Sequence, residues 1–320
     1  MSKVARIART IRAFTRELSR PASEHIINPA PEKRPRIGIA LGGGFARAVA
    51  HIGVLKALEE ENIPIDFVSG TSAGAVIGAG YCSRISAAEI EDFAQQARFR
   101  DFARWTLSRF GVCSNDRMSR LLEKLVLARS FEELKIPLAV SATDFATGEG
   151  VMFSAGPLLD AIRASCAYPG MFLPVSVGGK LFVDGLLGHP VPTQALRKMG
   201  ADRVIAVYLS GHWVNSRGPR HVFEVLGQCF SIAQEKMRAA WQAEADLVLE
   251  PNVAGFAFDG FEHSTELVRR GYEAARAAMP KILAWLGTTE PADAGLPMPT
   301  IELANPLGGA AMPVAPLVAK

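Results

Sequence analysis

The sequence predicts an α/β domain of three layers, and three observations carry that prediction. A short apolar strand, Ile37, Ile39 and Leu41, runs directly into Gly42-Gly43-Gly44 and then into a helix over 45–60. A second short strand, Ile65, Phe67 and Val68, runs through Gly70-Thr71-Ser72-Ala73-Gly74 into a helix of small apolar residues. Strands and helices then keep alternating to about residue 286, as they do when helices cover the faces of a sheet.

The bulk numbers set the bounds. A chain of 320 residues with 49% hydrophobic content can build one large core or two modest ones. The net charge is only +3, but Lys3, Arg6, Arg9, Arg12, Arg16 and Arg20 crowd the first twenty residues, so the basic character is local. Four scattered cysteines, Cys82, Cys113, Cys166 and Cys229, form no C-x-x-C pair and no metal-ligand spacing with histidine, which fits a reducing cytoplasm. There is no apolar run of about eighteen residues to span a bilayer, and no apolar signal region at the N-terminus, so a cytoplasmic location is expected.

Taken in order, residues 1–35 read as an arm and a linker. Val4, Ile7, Ala8, Ile11, Phe14 and Leu18 recur at helical spacing between the arginines, giving a cationic amphipathic helix. Two placements suit it, an anionic membrane surface or the chain's own core. Prolines and charges from Pro21 to Pro35 mark the linker. The domain spans 36–286. Its glycine loop can aim backbone N–H groups at a negative atom, helped by the following helix N-terminus, whether that atom belongs to a phosphate or to a transient oxyanion. A dinucleotide fingerprint would want a third glycine where Arg47 stands.

The region 86–134 reads as mostly helical, with Phe99, Phe102, Trp105 and Phe110 suited to a core or to a lid over a lipid pocket. Next come a strand over 138–143, a turn at Thr147-Gly148, a returning strand over 151–153 and a short helix over 158–166. Prolines 169 and 174 impose an extended path before a hairpin around Gly178-Gly179. A strand over 203–209, a helix over 221–243, a strand over 247–249 and a helix over 264–286 complete the domain. Residues 287–320, rich in Pro, Ala and Gly, have no period and read as extended or disordered.

Two residues bear on chemistry. Ser72 sits at a strand-to-helix turn with glycine on both sides, which suits either a nucleophile elbow or an ordinary helix N-cap. Asp184-Gly185 closes the hairpin, either as a simple turn or as the carboxylate partner that Ser72 would need.

Four stretches in one order carry a family likeness. They are Gly42-Gly43-Gly44 with Arg47 and 50–55, Gly70 to Gly74, Arg163-Ala164-Ser165 with Pro169, Phe172 and Pro174, and Asp184-Gly185. On these the sequence resembles the patatin-like phospholipases over 36–192. The segments 245–248 and Gly271-Tyr272 are similar to the bacterial relatives of the neuropathy target esterase branch. The resemblance implies a patatin-like fold with a mainly parallel sheet between helices, and a Ser72–Asp184 dyad in place of a triad. Backbone N–H groups of Gly43 and Gly44 would form the oxyanion hole, and Arg47 would meet a substrate phosphate. Asp184 would need burial to raise it from near 3.9 to a useful base.

The implied activity is hydrolysis of phospholipid or lysophospholipid acyl esters through an acyl-enzyme, with no cofactor, no metal and no nucleic-acid partner. Contact with the inner membrane surface would run through residues 1–20. The rival readings are a non-catalytic membrane- or partner-binding module, or a lipid acyltransferase. Phe45 and Ala48 stand where the family usually has glycine, Leu186 where it has Gly or Ala, and His189 where Asn is expected. His189, His51, Asp66 and Asp144 are given structural roles.

Overall fold

The structure is a computed structural model that describes residues 34–287, apart from 97, 127, 211–217, 220–221 and 258–259. The expectations for residues 1–33 and 288–320 lie outside the described residues. In chain order the elements are β1 (Ile37–Leu41), a 3-10 turn (Phe45–Val49), α1 (Ala50–Glu60), β2 (Phe67–Thr71), α2 (Ala73–Cys82), α3 (Ala87–Gln96), α4 (Phe99–Phe102), β3 (Arg104–Ser108), β4 (Gly111–Ser114) and α5 (Asp116–Leu125). They continue with β5 (Leu138–Asp144), β6 (Gly150–Phe153), α6 (Leu158–Ser165), β7 (Val175–Val177), β8 (Lys180–Asp184), α7 (Thr193–Met199), β9 (Arg203–Val207), α8 (Val222–Gln242), β10 (Leu247–Leu249) and α9 (Ser264–Gly287).

Among the described residues the main sheet has eight strands in the order β10-β9-β1-β2-β5-β8-β7, with β6 also paired to β5. The five strands from β10 to β5 are mutually parallel, and β6, β7 and β8 join antiparallel. Alternation along β1 separates the two faces. Ile37, Ile39 and Leu41 belong to the larger core under α1, α2 and α9, whereas Ala40 joins Val204, Ala206, Leu196 and Trp241 beneath α7 and α8. The result is a three-layer α/β domain with helices on both faces of a mainly parallel sheet.

Helices α1 and α9 cross with almost no space between their backbones. A Cβ on Gly53 would fall 1.9 Å from the Val268 carbonyl oxygen, and one on Gly271 would fall 1.7 Å from that of Ala50. Glycine at both positions is a packing requirement, and the crossing fixes α1, whose N-terminus follows the glycine loop.

The stretch 86–134 departs from the mostly helical expectation. Inside it, β3 and β4 form a separate antiparallel hairpin with a bulge between Trp105 and Ser108. The cause is tertiary. Cys113 N–H donates to the Met171 carbonyl at 2.8 Å and Leu173 N–H to that of Cys113 at 3.0 Å, so β4 is fastened to a segment about sixty residues away. Local periodicity cannot register such a partner. The aromatics also divide: Phe102 is buried, while Trp105 and Phe110 are exposed.

Candidate active site

Ser72 follows β2 at the carboxyl end of the parallel strands and precedes the first residue of α2. Its backbone takes φ 55° and ψ −127°, a region that a side-chain-bearing residue occupies only under constraint, at about 1–3 kcal/mol. The constraints are visible. Ser72 N–H donates to Ser165 Oγ at 2.7 Å, and its carbonyl accepts from Ala75 N–H at 2.8 Å and Val76 N–H at 3.3 Å. The flanking glycines let the turn close: a Cβ on Gly74 would lie 2.3 Å from the Leu41 carbonyl oxygen, and one on Gly70 would lie 2.6 Å from Ala75 Cα.

The turn aims Ser72 Oγ at the end of β8, where it donates to Asp184 Oδ2 at 2.7 Å. The other carboxylate oxygen, Oδ1, accepts the Leu186 N–H at 3.0 Å. Asp184 is wholly buried, and burial lifts its pKa from 3.8 to about 7 against the lowering effect of its hydrogen bonds from Ser72 and Leu186. The strand end is pinned from below. Thr143 Oγ1 donates to the Asp184 carbonyl at 2.9 Å, and a Cβ on Gly185 would meet the Ser141 carbonyl oxygen at 2.4 Å.

The glycine loop lies beside this pair, with a Cβ built on Gly43 reaching within 3.5 Å of Ser72 Cβ. Gly42 N–H donates to Val207 O at 3.1 Å, and Gly43 N–H to Pro190 O at 3.3 Å, near the long limit for such a bond. His51, buried in α1, fixes the loop from behind. Its Nε2 lies 2.8 Å from the Gly42 carbonyl, and burial lowers its pKa to about 4, so the neutral ring places its proton on Nε2 and donates. Its Nδ1 is buried with no hydrogen-bond partner. Gly44 is extended at φ 176°, whereas Phe45 holds φ 51°, a left-handed conformation that glycine adopts without strain.

Two cavities meet at Ser72. The first is an apolar cleft of about 870 Å³ including its mouth, walled by α2, α3 and α5 through side chains such as Val76, Phe93, Met118 and Leu122. The second is a more polar chamber of about 670 Å³, lined by Gly43, Gly44, Arg47, Leu186, Tyr208 and Gln234. Phe45, Ser72 and Tyr168 line both. The chamber sits at the ends of β1 and β9, where successive strands begin to be added in opposite directions and an α/β sheet opens a crevice. The ring of Phe45 packs on Phe102 at 6.0 Å and on Phe261 at 5.7 Å, which holds that shared wall despite the strained backbone.

Arg47 is 6% exposed, its Nε donates to the Phe256 carbonyl at 3.0 Å, and burial lowers its pKa. His189 stands away from the Ser72–Asp184 contact, with its ring against Gly150 and its backbone carbonyl accepting Thr71 Oγ1 at 2.7 Å. Burial lowers its pKa as well. Asp66 binds Arg34 through both oxygens and accepts Ile37 N–H at 2.8 Å, and Asp144 accepts the N–H groups of its own turn.

Three contributors were not assigned from sequence. Ser165 anchors the elbow amide, Cys166 lines the cleft with a thiol that burial keeps protonated, and Tyr168 stands between the cavities. The only signal for them was the Arg163-Ala164-Ser165 stretch. Among the described residues no group of three His, Cys, Asp or Glu is placed to hold a metal, and no helix is long and apolar enough to cross a membrane.

Comparison with known proteins gives a coherent set of similarities. The family profile described as Patatin-like phospholipase matches residues 39–197. An uncharacterized NTE family protein of Mycobacterium tuberculosis is 37% identical over 183 residues, 55% of this chain and 50% of that protein. The human patatin-like phospholipase domain-containing protein 6 is 32% identical over 179 residues, 53% of this chain but 13% of that one. Neuropathy target esterase sws of Drosophila melanogaster is 31% identical over 182 residues, with the same shares. The match thus spans half of the mycobacterial relative and a small part of the animal ones. Among solved structures, VipD from Legionella pneumophila aligns with a TM-score of 0.47 at 14% identity, over 79% of this chain and 68% of that one.

Proposed function

The chain belongs, through residues 39–197, to the patatin-like phospholipase family in its neuropathy-target-esterase-like branch, and from that premise we propose that it hydrolyses acyl esters of phospholipids or lysophospholipids with Ser72 as nucleophile and Asp184 as its base. The observation that carries the reading is the 2.7 Å contact between Ser72 Oγ and a buried carboxylate lifted to about 7. A base of that strength is half ionised at neutral pH, where an ordinary aspartate is too weak to help a hydroxyl.

In the proposed cycle Asp184 takes the Ser72 proton as Oγ attacks the ester carbonyl. The oxyanion forms beside Gly43 and Gly44, whose N–H groups are its proposed donors, each worth about 3 kcal/mol of barrier. Gly43 would share or give up its long bond to Pro190. Protonated Asp184 then returns the proton to the leaving alkoxide, and the acyl-enzyme remains. Water, deprotonated by the same carboxylate, releases the fatty acid and restores the pair. The apolar cleft suits the acyl chain, and the chamber with Arg47 suits the polar remainder, where a guanidinium can face a phosphate.

Fatty-acid release from lysophosphatidylcholine and from phosphatidylcholine vesicles tests the proposal. The wild-type chain should release it, and Ser72→Ala and Asp184→Asn should each lose at least about 10³-fold in kcat/KM. Vesicle binding with the lipid left intact by the wild-type chain would instead favour a non-catalytic module.

A further inference from the structure

The hairpin that the sequence hid is the most unusual surface on the described part of the molecule. Trp105 is 72% exposed, more than any other large apolar side chain described, and Phe110 at the turn is 47% exposed. Monomeric surfaces seldom leave two aromatics on one short hairpin in water without a use for them. Neither side chain lines the apolar cleft or the polar chamber.

Charge gathers around the same hairpin. Between residues 99 and 125 there are six basic residues, Arg100, Arg104, Arg109, Arg117, Arg120 and Lys124, against three acidic ones, Asp101, Asp116 and Glu123. That local net charge of +3 equals the net charge of the whole chain, and all nine side chains are exposed. Asp116 is taken up by two arginines, Arg104 at 3.2 Å and Arg163 at 3.0 Å. Arg117, Arg120 and Lys124 recur at three- and four-residue steps along α5 and so share one of its faces, while Met118, Leu122 and Leu125 are buried on another. The Arg109 guanidinium stacks 5.0 Å above the Phe110 ring, so cation and aromatic are presented together.

The position matters as much as the composition. β4 is hydrogen-bonded to the segment carrying Phe172, α4 ends in Phe102, and α5 turns Met118 and Leu122 inward; all four of these side chains line the apolar cleft. The basic residues of α5 therefore lie on a helix whose buried side chains form part of the cleft wall, and the hairpin that carries the exposed aromatics is hydrogen-bonded to the segment that brings Phe172 to that wall.

We infer that the β3–β4 hairpin and the outer face of α5 are a docking surface for an anionic lipid bilayer, with Trp105 and Phe110 entering the headgroup region and the basic residues meeting its phosphates. Tryptophan is the side chain best suited to that depth, and arginines beside it add attraction that depends on negative lipid and on salt. The chain's own basic residues Lys3, Arg6, Arg9, Arg12, Arg16 and Arg20 have the same sign as this surface. The inference goes beyond the hydrolase reading and does not require it, because docking involves no bond-breaking step.

The test is co-sedimentation of the full chain with phosphatidylcholine vesicles, with and without phosphatidylserine, at low and high salt. The wild-type chain should bind the anionic vesicles and release them as salt rises. Trp105→Ala/Phe110→Ala should bind at least about tenfold more weakly, and Arg109→Ala/Arg120→Ala should lose about fivefold for each charge removed. Thermal melting and turnover of a short soluble ester should match wild type for both variants, which separates lost docking from lost fold. Anionic-vesicle binding by both double variants equal to wild type overturns the proposal, and so does a wild-type chain that ignores phosphatidylserine. Absence of ester turnover would count against the hydrolase reading alone and leave the sedimentation result standing.

Discussion

As the proposed base, Asp184 carries two demands that pull against each other. To accept a proton from Ser72 near neutrality it must be a stronger base than a solvated aspartate, and only its complete burial makes it so. The same burial penalises the folded state whenever the carboxylate is ionised. Because its pKa is raised on folding, from 3.8 to about 7, the folded state loses stability relative to the unfolded chain as pH rises through that window. Two predictions follow at this residue. The kcat/KM for a soluble ester should climb with pH, close to tenfold per pH unit, and level off above about 7; a profile already flat from pH 5 upward would contradict the assignment of the base. Asp184→Asn should be inactive yet more stable than wild type at pH 8, by up to roughly 4 kcal/mol in urea unfolding, with the gain vanishing below pH 4. Comparing the two proteins cancels other titrating groups, buried His51 among them.

At the scale of elements, the placement of Ser72 and of the glycine loop depends on close approaches that only glycine permits. α2 can start immediately after Ser72 because Gly74 touches the end of β1, and α1 is seated by its crossing with α9 at Gly53 and Gly271. Gly271→Ala would place a methyl 1.7 Å from the Ala50 carbonyl, a clash that no rotamer relieves. It should cost about 3 kcal/mol or more in urea unfolding and, by shifting α1, weaken the His51 grip on Gly42 and lower activity. Gly287→Ala, at the end of the same helix with open space around its Cβ, is the control and should change stability by no more than about 0.5 kcal/mol. Much of this was legible in the sequence, since a glycine beside a strand end and another two residues past a serine each point to a tight turn. The crossing partner of Gly271 was not, because residues 53 and 271 come together only through the fold. The hairpin was lost for the same reason: the bond pattern that defines β4 is made to residues 171–173.

At the scale of the molecule, the site collects side chains from one end of the parallel sheet. β1 brings the glycine loop, β2 the serine, and β8 the carboxylate, while the helical region after α2 supplies walls of the apolar cleft proposed for an acyl chain. The three strand ends could be read in order because each ends in a local motif with its own backbone logic. What surrounds them could not. The shared wall of the two cavities draws on Phe45 and Tyr168, over a hundred residues apart, and Phe45 occupies a conformation that no rule based on residue type would assign to phenylalanine. His189, a few residues after Asp184 and given a structural role from sequence, has its ring against Gly150, a neighbour that its place in the chain does not disclose.

The proposed hydrolysis rests on Ser72 being a nucleophile made reactive by Asp184, and covalent labelling reads that directly. Incubation with a fluorophosphonate followed by intact-mass and peptide mass spectrometry should give one adduct per chain on Ser72 for the wild type. It should give none for Ser72→Ala and labelling at least about a hundredfold slower for Asp184→Asn. A wild-type chain that stays unlabelled, or a Ser72→Ala variant that labels like wild type, would contradict it.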